Sequence, residues 1–349
     1  MNKKYSFKND YSEGAHKKIL DALASTNFLQ CDGYGKDDFC EAAKVAIREK
    51  LDISDCDIHF LTGGTLVNKL VIGSFLKPYE SAVSAKTGHI NVHETGAIEA
   101  TGHKINIVNS DSEKLTPEYI GNIVKAHTDE HMVKPKLVYI SNATECGTIY
   151  SYGELKNLSE YCKANDLLLY MDGARLAQAL SSPDCDYSLA EIHNFFDAYY
   201  IGGTKNGCLI GEALIINNDK FKENFRYYIK QSGALLAKGR LLGVQFLELF
   251  RDNLFFELGK IAVENAISLA DKLKSLGVTF RYKPQTNQIF PIFSNDLIEH
   301  LLRFFDFYVW ENIDRDCSVV RLVTSWATPC KQIDNFYEKV LEFYDEKGR

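Results

Sequence analysis

Seven prolines in 349 residues, no apolar run of membrane-spanning length and no C-x-x-C spacing among the cysteines exclude several kinds of protein at once. A spanning helix needs about 20 consecutive apolar residues, so no transmembrane segment is predicted. The opening Met-Asn-Lys-Lys-Tyr-Ser lacks the apolar core of a signal peptide. The nine cysteines (Cys31, Cys40, Cys56, Cys146, Cys162, Cys185, Cys208, Cys317 and Cys330) are scattered, which suits neither a structural zinc site nor a disulfide scaffold. They are expected to be reduced thiols in a cytoplasmic protein. An excess of positive charge is also missing: the formal net charge is −7, which opposes general affinity for nucleic acid. The most basic stretch, Lys220 to Lys230, is spaced like an amphipathic helix with its aromatics turned inward. There is no internal repeat, low-complexity tract or Pro/Gly-rich linker.

The chain does contain a regular alternation of strand and helix signals. Apolar runs at Ile58–Leu61, Ser81–Ser84, Ile105–Val108, Leu137–Ser141, Leu167–Met171, Ala198–Ile201 and Ala213–Ile216 bracket helical stretches such as Gly153–Lys163. The pattern predicts an α/β fold with a mainly parallel, seven-stranded sheet. Ala213–Ile216 follows its predecessor closely enough to be an antiparallel hairpin partner. A helix is predicted from Gly233 to Phe250, then strands at Val278–Tyr282, Ile289–Phe293 and Val319–Val323. The length calls for two domains: an N-terminal arm plus large domain over 1–245, and a smaller α/β domain over 246–349.

Three motifs carry chemistry. In YIGGTKNG, Lys205 lies just beyond an apolar strand, in a turn of glycines and small polar residues. Open α/β sheets place ligands at the carboxyl ends of their strands, and a desolvated lysine there can form a Schiff base with an aldehyde. One strand–helix–strand unit earlier, Leu167-Leu-Leu-Tyr-Met171 ends in Asp172-Gly-Ala-Arg175. A carboxylate at that point can hold a pyridine nitrogen protonated; alone, it reads first as a helix cap. Earlier still, Ile58-His-Phe-Leu61 runs into Thr62-Gly-Gly-Thr65 before a helical stretch, where Gly64 and Thr65 form a plausible phosphate cup. Lysine, carboxylate and anion cup together describe a seat for pyridoxal 5'-phosphate.

The order of TGGT, a histidine five residues before a glutamate, DGAR, a strand-end TK and a late VVRLVT resembles the low-specificity threonine aldolases of the β-eliminating lyase group. The resemblance runs from Asn9-Asp10 to Thr324, and implies the aspartate aminotransferase-like (type I) fold of pyridoxal phosphate enzymes. On that resemblance Lys205 is the Schiff-base lysine, with Thr204 beside it as a cofactor contact. Asp172 faces the pyridine nitrogen, and Arg175 meets the substrate carboxylate or a ring substituent. Arg321 grips the amino-acid carboxylate, a role suited to a guanidinium fork. His89 stacks over the cofactor ring, selected by its spacing from Glu94, whereas His93 reads as structural. Tyr34, in a glycine-flanked loop, reaches phosphate or substrate across a subunit boundary, and Lys238 and Arg240 are candidates for the neighbouring subunit's phosphate site. A homodimer or homotetramer with shared active sites is implied.

The sequence departs from the resemblance at three places. Glu145, in Asn142-Ala-Thr-Glu145, stands where many threonine aldolases carry a second histidine; a buried carboxylate can take a hydroxyl proton in its place. Asn206 follows the lysine where glycine is usual, and Asn9 replaces a serine that helps bind the substrate carboxylate. The implied reaction is Cα–Cβ cleavage of a β-hydroxy-α-amino acid, threonine or allo-threonine yielding glycine and acetaldehyde. Another pyridoxal phosphate-dependent β-elimination, an aminotransferase-like reaction or a non-catalytic cofactor-binding role remain alternatives, because fold alone does not choose among them.

Overall fold

The computed structural model describes residues 4–53, 55–110 and 113–347; the first three residues of the opening segment considered above lie outside them. After a two-residue strand, β1 (Tyr5–Ser6), the large sheet is built from β2 (Asp57–Leu61), β3 (Glu80–Ala85), β4 (Ile105–Val108), β5 (Lys134–Ser141), β6 (Leu168–Asp172), β7 (Ala198–Gly202) and β8 (Glu212–Ile216). Their order is β2-β8-β7-β6-β5-β3-β4. β8 runs antiparallel to both of its neighbours, and the other six strands share one direction. The expected hairpin of Ala213–Ile216 with the strand before Lys205 is present, in register from Ala198↔Ile216 to Gly202↔Glu212.

Because successive strand residues point to opposite faces, each central strand feeds two cores. Val138, Ile140, Leu169, Met171, Tyr199 and Ile201 pack on one side with helices 38–51 and 240–251. Leu137, Tyr139, Leu168, Tyr170, Ala198 and Tyr200 pack on the other, against the helix Gly64–Phe75. Burial on both faces is what makes these strands read as continuous apolar runs. The helix Tyr152–Ala164 starts at a capping box in which Ser151 and Glu154 satisfy each other's backbone N–H groups.

The second domain holds β9 (Gln288–Ile289), β10 (Ile292–Ser294), β11 (Phe305–Asp306), β12 (Tyr308–Asn312) and β13 (Cys317–Val323). β13 pairs antiparallel with β9, β10 and β12, while β1 pairs parallel with β11. The N-terminus therefore returns to this domain, and Phe7 is buried against Phe305 and Phe336. The boundary expected after residue 245 falls inside the helix Arg240–Arg251. Apolar packing changes from one core to the other farther on, within Leu254–Ser275: Leu254, Phe255 and Leu258 join the large core, and Ala266, Leu269, Ala270 and Leu273 the small one.

Four local expectations are corrected. The strand at Val278–Tyr282 reduces to a single bridge, Phe280↔Pro291. The strand expected at Ile289–Phe293 breaks in two around Pro291, which has no N–H to give a ladder. The helix expected from Gly233 begins only at Arg240; Gly233, at φ +71°, ends the turn after Phe225–Gln231. In that shorter basic helix Phe225 and Ile229 face inward, but Tyr227 is 76% exposed and Tyr228 also lies outside. No described helix is long and apolar enough to cross a membrane.

The turn after Asp172 is the tightest backbone approach beside the sheet's carboxyl edge. A Cβ on Gly173 would stand 1.9 Å from the Tyr200 carbonyl oxygen, a backbone atom that cannot swing away. Gly173→Ala should lower the unfolding free energy by at least about 1–3 kcal/mol, read by urea denaturation. Gly153→Ala, whose Cβ meets nothing within 4 Å, should be neutral or slightly stabilising. Equal stability of the two variants would contradict the packing described.

Candidate active site

The parallel strands end along one edge of the large sheet, and the functional motifs are the segments that leave it. β2 runs into Thr62-Gly63-Gly64, β6 ends in Asp172, and β7 passes through Gly203 and Thr204 to Lys205. Between this edge and the second domain lies a cleft of about 650 Å³. Gly64, Thr65, His89, Glu145, Asp172, Arg175, Thr204, Lys205 and Arg321 all line it.

Asp172 is buried beneath this cleft and held on every side. Tyr200 donates to its Oδ1, as does the Ala174 N–H at 3.0 Å. Tyr139 donates to Oδ2 at 2.8 Å and Asn68 Nδ2 to the same oxygen at 3.1 Å. Burial alone would push this carboxyl up; the positive charge available at His89, with the Tyr200, Ala174 and Asn68 donors, outweighs it and holds Asp172 below the usual carboxylate range. The helix after it begins at Leu176 with Arg175 at the cap position, so Asp172 is not spent as a helix cap.

Lys205 is half-buried in the cleft wall, and among the described residues its ammonium forms no ion pair within 4.0 Å. Desolvation, followed by the nearby Arg175 charge, lowers its pKa against the opposing pull of Asp10, Asp172 and Glu212. A lysine so placed gives up its proton more readily and becomes a nucleophilic amine. The loop is closed by backbone bonds from Gly203 and Thr204 N–H to the Gly211 carbonyl. Asn206, the unusual residue after the lysine, is fully buried and donates to the Phe255 carbonyl at 2.8 Å, tying the loop to the long helix 254–275.

His89 opens a short helix, His89–Val92, and its Nδ1 meets Glu94 Oε1 at 2.8 Å. The five-residue spacing that singled out His89 thus corresponds to a direct contact. His93, read as structural, is instead exposed in the cleft wall, its ring centroid 5.4 Å from that of His89. Glu145 accepts from Ser141 Oγ at 2.6 Å and from the His89 backbone N–H at 2.9 Å. Burial raises its pKa, with Ser141 acting the other way and the Asp172 charge reinforcing the rise. A carboxylate made basic by burial is a competent proton acceptor.

The two arginines differ in how much of each is free. Arg175 makes a two-pronged pair with the buried Asp10, Nε to Oδ2 at 2.7 Å and Nη2 to Oδ1 at 3.0 Å. Burial opposes the guanidinium's charge, but Asp10 more than compensates. That edge of Arg175 is therefore committed inside the protein. Arg321, on β13, donates from Nη2 to the Lys8 carbonyl at 3.1 Å and lies 5.5 Å and 5.0 Å from the ring centroids of Tyr308 and Trp310. Among the described residues its buried Nε has no acceptor, which leaves it a donor that an anionic oxygen could meet.

Several expected contacts lie elsewhere. Asn9 Oδ1 accepts from the Tyr11 N–H and Ser12 Oγ in a local turn, and the neighbouring Asp10 pairs with Arg175 behind the cleft wall. Tyr34 does not line the cleft; it is 43% exposed, with the Lys230 ammonium 4.8 Å from its ring. Arg240 is turned into its own chain, donating to the Leu29 and Thr26 carbonyls, while Lys238 is exposed on the same surface.

Sequence reading missed Asn68, Tyr139, Tyr170, Tyr200, Asp10 and Glu212. The tyrosines counted as apolar strand residues, yet their two-residue spacing from Leu137, Leu168 and Ala198 placed their hydroxyls on the face that carries Asp172. The residues present fit a pyridoxal phosphate. The helix Gly64–Phe75 has no side-chain cap at its N-terminus, leaving backbone N–H groups for a phosphate; Asp172 suits a ring nitrogen, Lys205 an aldehyde and Arg321 a carboxylate.

A family model described as beta-eliminating lyase matches residues 12–296. This chain belongs to the beta-eliminating lyase family. Members of this family depend on pyridoxal phosphate. The chain is 30% identical over 331 residues to the low specificity L-threonine aldolase of Pseudomonas aeruginosa, covering 94% of each. It is 47% identical to a threonine aldolase structure from Leishmania major, covering 97% of this chain and 99% of that one at a TM-score of 0.96. An aspartate aminotransferase from Thermus thermophilus, 12% identical, overlays with a TM-score of 0.72 over 97% of this chain and 91% of its own, a likeness of fold. The lyase fold is thus the aspartate aminotransferase-like one, as the motifs implied.

Glu212 gives this lyase site a titration of its own. It accepts from the Gly203 N–H at 3.1 Å. Burial pushes its carboxyl from 4.5 up to about 7, against Thr204, Lys205 and Gly203. The folded chain therefore holds a proton that the unfolded chain has released, and the stability this confers falls as pH rises from about 4.5 through about 7. Glu212→Gln, neutral throughout, should gain on the order of 2 kcal/mol relative to the unaltered chain across that window. Urea denaturation over a pH series checks this; a difference independent of pH would refute it.

Proposed function

We propose that this chain is a pyridoxal phosphate-dependent aldehyde-lyase that cleaves the Cα–Cβ bond of β-hydroxy-α-amino acids, converting threonine or allo-threonine to glycine and acetaldehyde. The observation that carries the reading is the convergence of Lys205, Asp172, His89, Glu145 and Arg321 on one cleft. The homologous aldolases support the same activity.

When bound, the cofactor supplies an aldehyde and an electron-withdrawing ring that accepts the electrons of the broken bond. The chain's own residues account for the rest. Lys205 would hold the cofactor's aldehyde through its amine, whose pKa desolvation lowers. Asp172, kept anionic by four donors, would pair with the ring nitrogen. The His89 imidazole, its Nδ1 tied to Glu94, would cover the ring. The unpaired Nε of Arg321 receives the substrate carboxylate, which turns the β-carbon toward Glu145. Glu145, made more basic by burial, takes the β-hydroxyl proton as the aldehyde leaves. Arg175, fixed by Asp10, adds positive charge beside the carboxylate site.

We also infer that the chain works in the cytoplasm, where unpaired thiols stay reduced, and as a homodimer or homotetramer. Lys238 and the 95%-exposed Phe28 lie on or next to the groove that Arg240 closes, a surface that a second copy would cover. In that arrangement Lys238 reaches the neighbour's phosphate and Tyr34 the neighbour's cleft. Lys238→Ala should weaken pyridoxal phosphate binding several-fold in the assembled protein, measured by absorbance titration; unchanged affinity would place Lys238 outside the site.

The activity is tested by offering the loaded protein L-allo-threonine, L-threonine, phenylserine, or an amino donor with a keto acid. Glycine and aldehyde in equal amounts are expected. Ammonia with a keto acid, or exchange between keto acids, would overturn the aldolase reading. Glu145→Gln should lower kcat by about 10²- to 10⁴-fold, and Lys205→Ala should abolish both turnover and the visible absorption of the loaded protein.

A further inference from the structure

Asn68 is a fully buried amide on the second turn of the helix Gly64–Phe75 that joins two carboxylates belonging to different halves of the site. Its Nδ2 donates to Glu94 Oε1 at 2.7 Å and to Asp172 Oδ2 at 3.1 Å. Its Oδ1 accepts from Tyr170 Oη at 2.7 Å. Tyr170 and Asp172 are two residues apart on β6 and so share a face of the sheet. The phenol can donate only to the carbonyl end of the amide, which turns the two N–H groups toward the carboxylates.

Glu94 has few other constraints. Among the described residues its Oε1 meets only Asn68 and His89 Nδ1, and its Oε2 is buried without a partner. The amide therefore decides where Glu94 sits, and Glu94 decides how the His89 ring is turned. An amide also carries no titratable proton, so it links the two carboxylates without passing a proton between them.

We propose that Asn68 is a positioning residue that sets Asp172 and the Glu94–His89 pair at a fixed mutual distance, so that a cofactor ring meets its nitrogen partner and its stacking imidazole together. This rests on reading the cleft as a pyridoxal phosphate site. Asn68 touches no reacting atom; it acts through Asp172 on one side and through Glu94 on the other, with Tyr170 holding its orientation.

The test is an absorbance titration of the unloaded protein with pyridoxal phosphate, run as mutant cycles. Asn68→Ala should weaken binding about tenfold in the unaltered background, the scale of a lost hydrogen bond to a charged group. In Asp172→Asn or His89→Ala backgrounds, each lacking one of the two branches, the same substitution should cost clearly less. Equal losses in all three backgrounds would mean a merely structural role and would overturn the proposal. Should Asn68→Ala not fold, Tyr170→Phe removes one hydroxyl and keeps the fold; about threefold weaker binding is expected, again reduced in both backgrounds. Unchanged affinity in Tyr170→Phe, or in a folded Asn68→Ala, would equally overturn it. If the unaltered chain takes up no pyridoxal phosphate, the cofactor reading itself falls, whereas normal uptake with background-independent losses removes Asn68 alone.

Discussion

The anionic Asp172 carboxylate, buried at the end of a central strand, is the constraint on which the rest of the site depends. A bare carboxylate in that position would take up a proton or pull the strand end toward water. The fold prevents both with donors from four elements: Tyr139 on β5, Ala174 in the following turn, Tyr200 on β7 and Asn68 on the helix 64–75. Each donor is also a packing residue or a backbone group of the core. The sheet cannot shift register, or the helix slide, without stripping the carboxylate of partners, so charge and architecture hold each other in place.

Around this anion the site balances buried charge in pairs. Arg175 is neutralised by Asp10, whose carboxyl burial alone would push up but which Arg175 and Lys205 hold low. Lys205 has no such partner at contact distance, and desolvation therefore dominates it. Glu212 stands nearby as a carboxyl that holds its proton to about 7. The difference between a paired arginine and an unpaired lysine separates a structural cation from a reactive amine. Arg321 lies between these cases, since stacked aromatic rings and one carbonyl hold it while its Nε is left without an acceptor.

Much of this was legible in the sequence, for reasons that also explain what was not. Strands buried on both faces announce themselves as apolar runs, so all seven strands of the large sheet were read close to their places. Lys205, Asp172 and Thr65 were legible because each follows such a run in a glycine turn. The small domain was harder: β12, Tyr-Val-Trp-Glu-Asn, is an exposed strand with no clean alternation, and Pro291 split a strand that composition alone had joined. Tyr139, Tyr170 and Tyr200 were hidden inside apolar runs, because a phenol packs like a hydrophobe and reveals its hydroxyl only once its neighbours are known. Asp10 and Asn9 show the limit of position matching: the turn consumes the asparagine, and the next residue reaches the arginine.

Glu145 stands where the resemblance to threonine aldolases implies a histidine, and burial gives a carboxylate there a physical basis for the same work. A histidine at this point would be a base near neutral pH without help. A glutamate must be made basic, and burial with the Asp172 charge nearby does so. The same burial ties the carboxylate to Ser141 and to the His89 N–H, the first residue of the segment whose ring would cover the cofactor. Base and ring clamp are thereby one mechanical unit, and Asn68 links that unit back to Asp172 through Glu94. A scaffold shared with aminotransferases leaves the choice of broken bond to whichever group waits at the β-carbon. On the proposed reading that group is Glu145, whose contact with the His89 N–H joins it to the residue whose ring Glu94 orients, so bond choice and cofactor seating would be set by one network rather than two.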